Sequence, residues 1–239
     1  MRCAIISDIH GNITAFEAVV ADLKQMAPDM VFHGGDLADG GADPVAIIDH
    51  IRDAGWRGVL GNTDEMLFRP ASLTTFAAGL PGLASLFDKI AEMAGWTADQ
   101  LGGDRLAWLS GLPEIERTEA LALLHASPGN LWSAPRPDAE DATLRATYGG
   151  LDRPTIVYGH IHLPFVRSLG DVMLCNGGSV GQPHDGDPRA SYLLIDDGRP
   201  LIRRVDYDLD REIARLRDSK LPYADWVVRM ISHARPELP

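Results

Sequence analysis

The sequence contains only two cysteines, Cys3 and Cys175, among its 239 residues. Both lie in apolar, strand-like runs and neither belongs to a Cys-x-x-Cys pair, so we expect buried free thiols rather than a disulfide or a zinc clip. No run approaches the ~20 apolar residues that a membrane span requires. The N-terminus enters a strand-like segment without a charged and then apolar leader, which predicts a cytoplasmic protein that does not associate with membranes.

Positive charge is also scarce, with 22 Lys and Arg against 34 Asp and Glu, for a formal net charge of −12. No run of basic residues forms a stripe, which argues against binding of duplex nucleic acid. A small phosphoester stays compatible with this charge, because bound metal ions can reverse the field locally. The hydrophobic content of 45% is ordinary for a soluble globular protein.

The first sixty residues alternate between strand-like and helix-like patterns. Short apolar strands are predicted at 2–7, 30–33 and 58–60, and apolar residues at helical spacing predict helices at 12–26 and 44–54. This β-α-β-α-β order predicts a largely parallel sheet with crossover helices.

The remainder of the chain has a different character. Residues 66–113 are predicted to form a helical insertion, whose apolar composition fits either a lid over a substrate or a surface between subunits of a homo-oligomer. Short strands and tight turns after it indicate an antiparallel portion or a second sheet. Two C-terminal helices are predicted at 208–218 and 223–233. No repeat or low-complexity linker divides the sequence, which favours a single domain over residues 1–239. The later strands are predicted at 119–124, 154–158, 164–168, 171–175, 190–196 and 200–205, and a short helix at 138–147.

Polar residues that can bind metals follow the predicted strands, at the sheet edge where open α/β sheets place their ligand sites. Each motif alone is weak, but carboxylates, imidazoles and one amide converge here without a thiolate. Such a donor set suits a pair of Mn, Fe, Zn or Ni ions rather than structural zinc. The residues are Asp8, His10, Asp36, Asn62, His125, His160 and His162.

Read in order, these motifs are D-x-H, G-D, G-N, a lone H and G-H-x-H, and together they resemble the pattern of the calcineurin-like metallophosphoesterases. The tail pattern at 175–183, with Tyr192, is similar to that of the small bacterial and archaeal phosphodiesterases of this superfamily, as is Asp206-Tyr207-Asp208. The resemblance implies a four-layer α/β/β/α sandwich, and it implies a dinuclear, metal-dependent phosphoesterase, most simply a phosphodiesterase.

The resemblance also implies a role for each motif residue. Asp36 would bridge two divalent ions, with manganese expected and iron, zinc or nickel as alternatives. Hydrolysis of a small phosphoester would then proceed by attack of a metal-bridging hydroxide, with Asp36, Asn62 and His125 as the catalytic residues. The first ion would be held by Asp8, His10, Asp36 and His162, and the second by Asp36, Asn62, His125 and His160.

Two neighbouring residues are expected to assist. Asn12 begins the first helix, where it either contacts a substrate anion, as Asn62 is expected to do, or serves as a plain N-cap. Asp64 is expected to act indirectly, by orienting a ligand histidine.

One departure from the family pattern concerns proton donation. Many members have a histidine after the Gly-Asn pair, but this chain has Thr63, which cannot protonate a leaving oxygen at neutral pH. The small phosphodiesterases often share this loss. His184, in the glycine-rich loop 176–186, is the candidate replacement acid, and a solvated loop histidine is the alternative interpretation.

Two other functions stay open. One is a phosphoprotein or dinucleoside-polyphosphate phosphatase of the same superfamily, against which Thr63 counts. The other is a non-catalytic binding module of the same fold, like the retromer subunit with its degraded site; the complete donor set here makes that role the weaker interpretation.

Overall fold

The structure is a computed structural model that describes residues 1–239, and it contains ten strands in two five-stranded sheets. The strands are β1 (Arg2–Ile6), β2 (Met30–His33), β3 (Arg57–Gly58), β4 (Ile115–Arg117), β5 (Leu121–Leu124), β6 (Thr155–Tyr158), β7 (Phe165–Leu169), β8 (Val172–Asn176), β9 (Ala190–Asp196) and β10 (Arg199–Val205). The helices are α1 (Ile13–Met26), α2 (Pro44–Asp53), α3 (Asn62–Phe68), α4 (Pro70–Ala78), α5 (Ala84–Ser110), α6 (Asp141–Tyr148), α7 (Leu209–Asp218) and α8 (Ala224–His233).

The first sheet has the strand order β10-β9-β1-β2-β3. Strands β1, β2 and β3 are parallel, in the predicted β-α-β-α-β order, with Ile6 of β1 paired to His33 of β2. Strands β9 and β10 return at the end of the chain and add to this same sheet in antiparallel orientation. The antiparallel portion indicated by the short C-terminal strands therefore extends the first sheet.

The second sheet has the order β4-β5-β6-β8-β7 and mixes parallel with antiparallel pairs. Its edge strand β4 was not predicted from the sequence. The strand has only three residues, two of them charged, so it shows no apolar alternation and depends on its antiparallel pairing with β5.

Three apolar layers separate the two sheets and their covering helices. Residues such as Ile5, Phe32 and Val157 pack between the sheets. The outer face of the first sheet is covered by α1, α2 and α5, and α6 covers the second sheet through Leu144 and Tyr148. The predicted four-layer α/β/β/α sandwich is confirmed, because each sheet buries one face against its partner and the other against helices.

In the chain between β3 and β4, helical structure begins at Asn62, four residues before the predicted start of the insertion, and ends at Ser110. Helix α5 is interrupted at Gly102, whose positive φ of 68° breaks the helical backbone. The C-terminal helices α7 and α8 form a separate apolar cluster with α5 that includes Met93, Leu216 and Trp226. None of the helices combines the length and the apolar composition that crossing a membrane would need.

Candidate metal centre

The loops that follow β1, β2, β5 and β6, together with the first residue of α3, meet at one edge of the sandwich. The structure brings together all seven residues for which the sequence predicted metal binding, and six of them are buried. His160 is half-buried. The carboxyl ends of parallel strands meet at one edge, which explains why motifs separated by more than 150 residues come together.

Five of these residues have a left-handed backbone, which non-glycine residues rarely adopt because the Cβ crowds the following carbonyl. Such conformations cluster at functional sites, where the surrounding structure over-determines them. Here backbone hydrogen bonds supply that constraint, since the Asp8 and His10 amides donate to Gly35 O and Asp36 O, each at 3.0 Å. The φ angles are 55° at Asp8, 49° at His10, 53° at Asp36, 67° at His160 and 55° at His162.

The first ligand group consists of Asp8, His10, Asp36 and His162, whose donor atoms all lie within 4.8 Å of one another. His162 Nε2 is 3.2 Å from Asp8 Oδ1 and also 3.2 Å from His10 Nε2. Two atoms that bind one ion at about 2.1 Å are about 3.0 Å apart at a right angle and about 3.4 Å apart at the tetrahedral angle. These separations are those of atoms around a common cation.

The second ligand group consists of Asp36, Asn62, His125 and His160. Asn62 Oδ1 is 2.9 Å from both His125 Nε2 and His160 Nδ1. Asp36 Oδ2 is 3.4 Å from His125 Nε2 and 3.7 Å from His10 Nε2, so this one oxygen faces both groups. Asp36 therefore lies between the two groups, and the binding of two ions there stays a prediction.

Backbone carbonyls fix three of the four imidazoles. The Nδ1 atoms of His10, His125 and His162 lie 2.6–2.8 Å from the carbonyl oxygens of Asp39, Gly34 and Gln182, respectively. A proton on Nδ1 leaves Nε2 free to bind a metal, and such a partner also holds the ring orientation. His160 differs, because its Nδ1 faces the Asn62 amide.

Asp64 supports the centre in a different way from the one predicted. Its carboxylate accepts hydrogen bonds from the backbone amides of Asp36 at 2.8 Å and Leu37 at 2.9 Å, and it does not orient a histidine. Burial, together with the nearby Asp36 carboxylate, raises the pKa of Asp64 to about 7. Gly61 lies against the same loop, since a Cβ there would come 2.1 Å from Asp36 Oδ1.

Burial and opposed charges shift the pKa values of the clustered groups in both directions. Burial disfavours a charged His125, yet the Asp36 and Asp8 carboxylates raise its pKa to about 9. Burial would raise the pKa of Asp36, but His125 and His10 hold it well below its usual range. A metal cation bound in this pocket would take the place of the His125 proton.

The structure accounts for Asn12 as an N-cap. Its Oδ1 accepts the Ala15 amide at 3.0 Å, and its Nδ2 donates to Gly181 O at 3.0 Å. The helix start is further occupied by the buried Glu212, whose carboxylate accepts the Thr14 amide at 3.2 Å. The side-chain amide of Asn12 is therefore committed to the protein, and substrate contact by Asn12 stays a prediction.

His184 is half-buried in its loop and lies against the centre. Its ring stacks on His162, with centroids 4.3 Å apart and an interplanar angle of 24°, and its Nε2 is buried. Burial, followed by the charges of His162 and His10, lowers the pKa of His184 to about 2. The ring is therefore neutral at pH 7, and a role as a proton donor stays a prediction.

Sequence reasoning missed two residues at this edge. Asp39 is buried and holds His10 through its carbonyl, and Gln182 holds His162 in the same way. The acidic side chain of Asp39, three residues after Asp36 in a glycine-rich loop, was a signal for that residue. Neither contact with a histidine leaves a signal of its own, because both use a backbone carbonyl, which every residue type has.

Comparisons with known proteins identify the family of the chain. A model of the calcineurin-like phosphoesterase superfamily domain matches residues 1–197. The chain is 32% identical over 247 residues to an uncharacterized protein of Methanocaldococcus jannaschii, with 94% of each chain covered.

Two solved structures share the fold. A metallophosphoesterase from Sphaerobacter thermophilus superposes with a TM-score of 0.79 at 25% identity, covering 98% of this chain and 100% of that chain. A hypothetical protein from Pyrococcus horikoshii superposes with a TM-score of 0.83 at 18% identity, over 98% of both chains. The family match spans every loop that contributes to the two ligand groups. The chain therefore belongs to the calcineurin-like phosphoesterase superfamily, and it is a phosphoric ester hydrolase.

Proposed function

We propose that this protein is a dinuclear metal-dependent phosphodiesterase that hydrolyses a small phosphoester. The observation that carries the proposal is the position of Asp36, whose Oδ2 faces His125 of one ligand group and His10 of the other. A carboxylate in that position can offer an oxygen to each of two ions. Two divalent ions bound there would supply the chemistry that ester hydrolysis needs, since they lower the pKa of water and neutralise phosphoryl oxygens.

The chain itself orients and shields the reacting groups. Asp36 is only 2% exposed, and its Oδ1 accepts the Thr63 amide at 2.9 Å, which leaves Oδ2 directed at the imidazoles. Fixed dipoles and charges in a buried site stabilise developing charge more effectively than they would in water. We expect Asn62 and His125 to act with Asp36 at the phosphoryl group.

The half-buried residues of the centre identify its open side. His160 is half-buried while the other candidate ligands are buried, so substrate would approach past His160. Thr63 is also half-buried, and its hydroxyl is buried without a hydrogen-bond partner. Because Thr63 cannot protonate a leaving oxygen, we expect faster turnover of esters whose leaving groups have a low pKa.

His184 has two candidate roles at this site. A neutral imidazole can donate one hydrogen bond to a phosphate oxygen, and a protonated imidazole could supply a proton to the leaving group. The pKa of about 2 favours the neutral form. We expect the His184→Ala variant to raise KM for an alkyl diester, whereas a change in the shape of the pH–rate profile would support proton donation instead.

The direct test is hydrolysis by metal-stripped protein reloaded with manganese. We expect bis-p-nitrophenyl phosphate, a diester, to be hydrolysed faster than p-nitrophenyl phosphate, a monoester, and activity to vanish in Asp36→Asn. Parallel reloading with zinc, iron and nickel tests the expectation of manganese. Faster hydrolysis of the monoester would favour a phosphatase, and stoichiometric metal binding without turnover of any ester would contradict the enzymatic proposal.

A further inference from the structure

Thr97 is the one polar residue on the buried face of α5. Its side chain is 0% exposed in a stripe that is otherwise apolar. A buried hydroxyl costs stability unless it forms a hydrogen bond, so a threonine at such a position has a specific partner. The buried residues of α5 are Phe87, Met93, Ala94, Thr97, Leu101 and Leu109.

That partner is Asp39, which lies in the loop after β2. Thr97 Oγ1 donates to Asp39 Oδ1 at 2.8 Å, and Asp39 is itself only 4% exposed. Water cannot easily replace this bond, because both groups are buried. Loss of the hydroxyl would therefore leave a buried carboxyl group short of a partner, and the Asp39 loop would have to move or adjust.

Movement of Asp39 would reach His10 directly. The carbonyl oxygen of Asp39 is 2.8 Å from His10 Nδ1, and this contact sets the orientation of the His10 ring. The two loops are also in close backbone contact, since a Cβ on Gly41 would lie 2.2 Å from His10 O. The path from α5 to the first ligand group thus consists of two hydrogen bonds through a single residue.

We propose that Thr97 is a positioning residue for the metal centre, because through Asp39 it holds the His10 imidazole with Nε2 directed at the first ligand group. This inference rests on the proposed metal centre. It gives the helical insertion a third role besides those of a substrate lid and a subunit surface, because α5 then helps to hold the metal centre in place. Helix α5 also packs against α3, the helix that begins with Asn62 of the second ligand group.

The experiment measures manganese binding to metal-stripped protein by titration calorimetry. Thr97→Val removes the hydroxyl at almost constant volume, and Thr97→Ser keeps it. We expect Thr97→Val to raise the Kd of one bound manganese ion by roughly 10–100-fold, the effect typical of residues that orient metal ligands. Thr97→Ser should restore binding to nearly the wild-type value.

A matched control is Thr75→Val, which makes the same change within the insertion. The Thr75 hydroxyl bonds only to its own helix, at Ala71 O, so this variant should bind manganese like wild type. Should Thr97→Val fail to fold, Thr97→Ala and Thr97→Ser form the same comparison.

Two results would overturn the inference. One is that Thr97→Val binds both manganese ions with wild-type affinity. The other is that Thr97→Val and Thr97→Ser weaken manganese binding equally. Failure of the dinuclear centre would be recognised separately, because the wild-type protein itself would then not bind two ions.

Discussion

The two ligand groups of the centre differ in how firmly the fold holds them. In the first group all four residues are buried, and backbone carbonyls fix both imidazoles, those of His10 and His162. In the second group His125 is fixed in the same way, but His160 is half-buried and directs Nδ1 at the Asn62 amide. The two groups share Asp36.

This difference predicts that the two groups bind their ions with different affinities. A rigid group whose rings already present Nε2 has little orientation left to lose on binding, so we expect the first ion to bind more tightly. The second group contains the half-buried His160, past which substrate would enter. A centre of this kind would hold one ion firmly and leave the other accessible to a phosphoester.

The largest effect should come from the residue that the two groups share. Asp36→Asn removes one anionic oxygen from both, so we expect weaker binding of both ions. We expect a loss of kcat of at least roughly 10²–10³-fold, the loss seen when one stabilising group of an active site is removed. Calorimetry and diester hydrolysis report the two effects. If only one ion were affected, Asp36 would not lie between the groups as the account requires.

The next largest effect should come from Asp64, which holds the Asp36 loop by its backbone. Asp64→Asn loses one acceptor oxygen for the amides of Asp36 and Leu37, and we expect metal affinity to fall roughly 10–100-fold. The exposed Asp138 offers a control, as Asp138→Asn should bind metal normally. Unchanged affinity in Asp64→Asn would show that the loop keeps its conformation without the full carboxylate.

The comparison within the second group can be sharpened with two matched variants. His125 is fully buried and fixed by Gly34 O, whereas His160 is half-buried. We expect His125→Gln to weaken the second ion more than His160→Gln does, while both leave the first ion nearly unaffected. Manganese titrations of the two variants show which substitution weakens binding of the second ion more. A larger effect of His160→Gln would mean that burial and a fixed ring do not determine binding at this group.

The smallest effect concerns His33, a buried histidine outside both groups. Burial lowers its pKa to about 3, and neither ring nitrogen has a hydrogen-bond partner. The unfolded chain takes up a proton at this residue below a pKa of about 6.5, while the folded chain does not. The contribution of His33 to the free energy of unfolding is therefore fully present above pH 6.5 and is lost as the pH falls toward 3.

From pH 7.5 to pH 5.0 this one histidine should cost about 2 kcal/mol of unfolding free energy. We expect the His33→Leu variant to lose less stability than wild type over that interval, as measured by urea unfolding of metal-stripped protein. The exposed His50 provides a control through His50→Leu. Identical pH dependence in wild type and His33→Leu would contradict the assigned pKa.

The sequence predicted those parts of the structure that local patterns determine. Apolar periodicity located β2 and β9 to the residue, and the order of strands and helices predicted the parallel half of the first sheet. The motif residues at strand ends predicted which side chains would meet, because strand direction alone places them at one edge. Local patterns could not show that β9 and β10 return to the first sheet, since pairing over nearly 200 residues leaves no periodic signal.

The contacts that support the centre also could not be predicted from the sequence. His10, His125 and His162 are held by backbone carbonyls, which every residue possesses and no motif records. The stacking of His184 on His162 depends on the path of the loop that follows β8. The Thr97–Asp39 hydrogen bond joins two residues 58 positions apart. The polar threonine within the apolar stripe of α5 was its one visible sign.

The central claim is that the two groups sharing Asp36 hold two ions, and the most direct measurement is the number and affinity of ions bound per chain. Titration calorimetry of metal-stripped protein with manganese, supported by elemental analysis of the loaded protein, gives both values. The account predicts two ions per chain in two distinguishable steps, with the tighter step lost in His10→Ala and the weaker step lost in His125→Ala. Saturation at a single ion, with His125→Ala binding it as wild type does, would contradict the account.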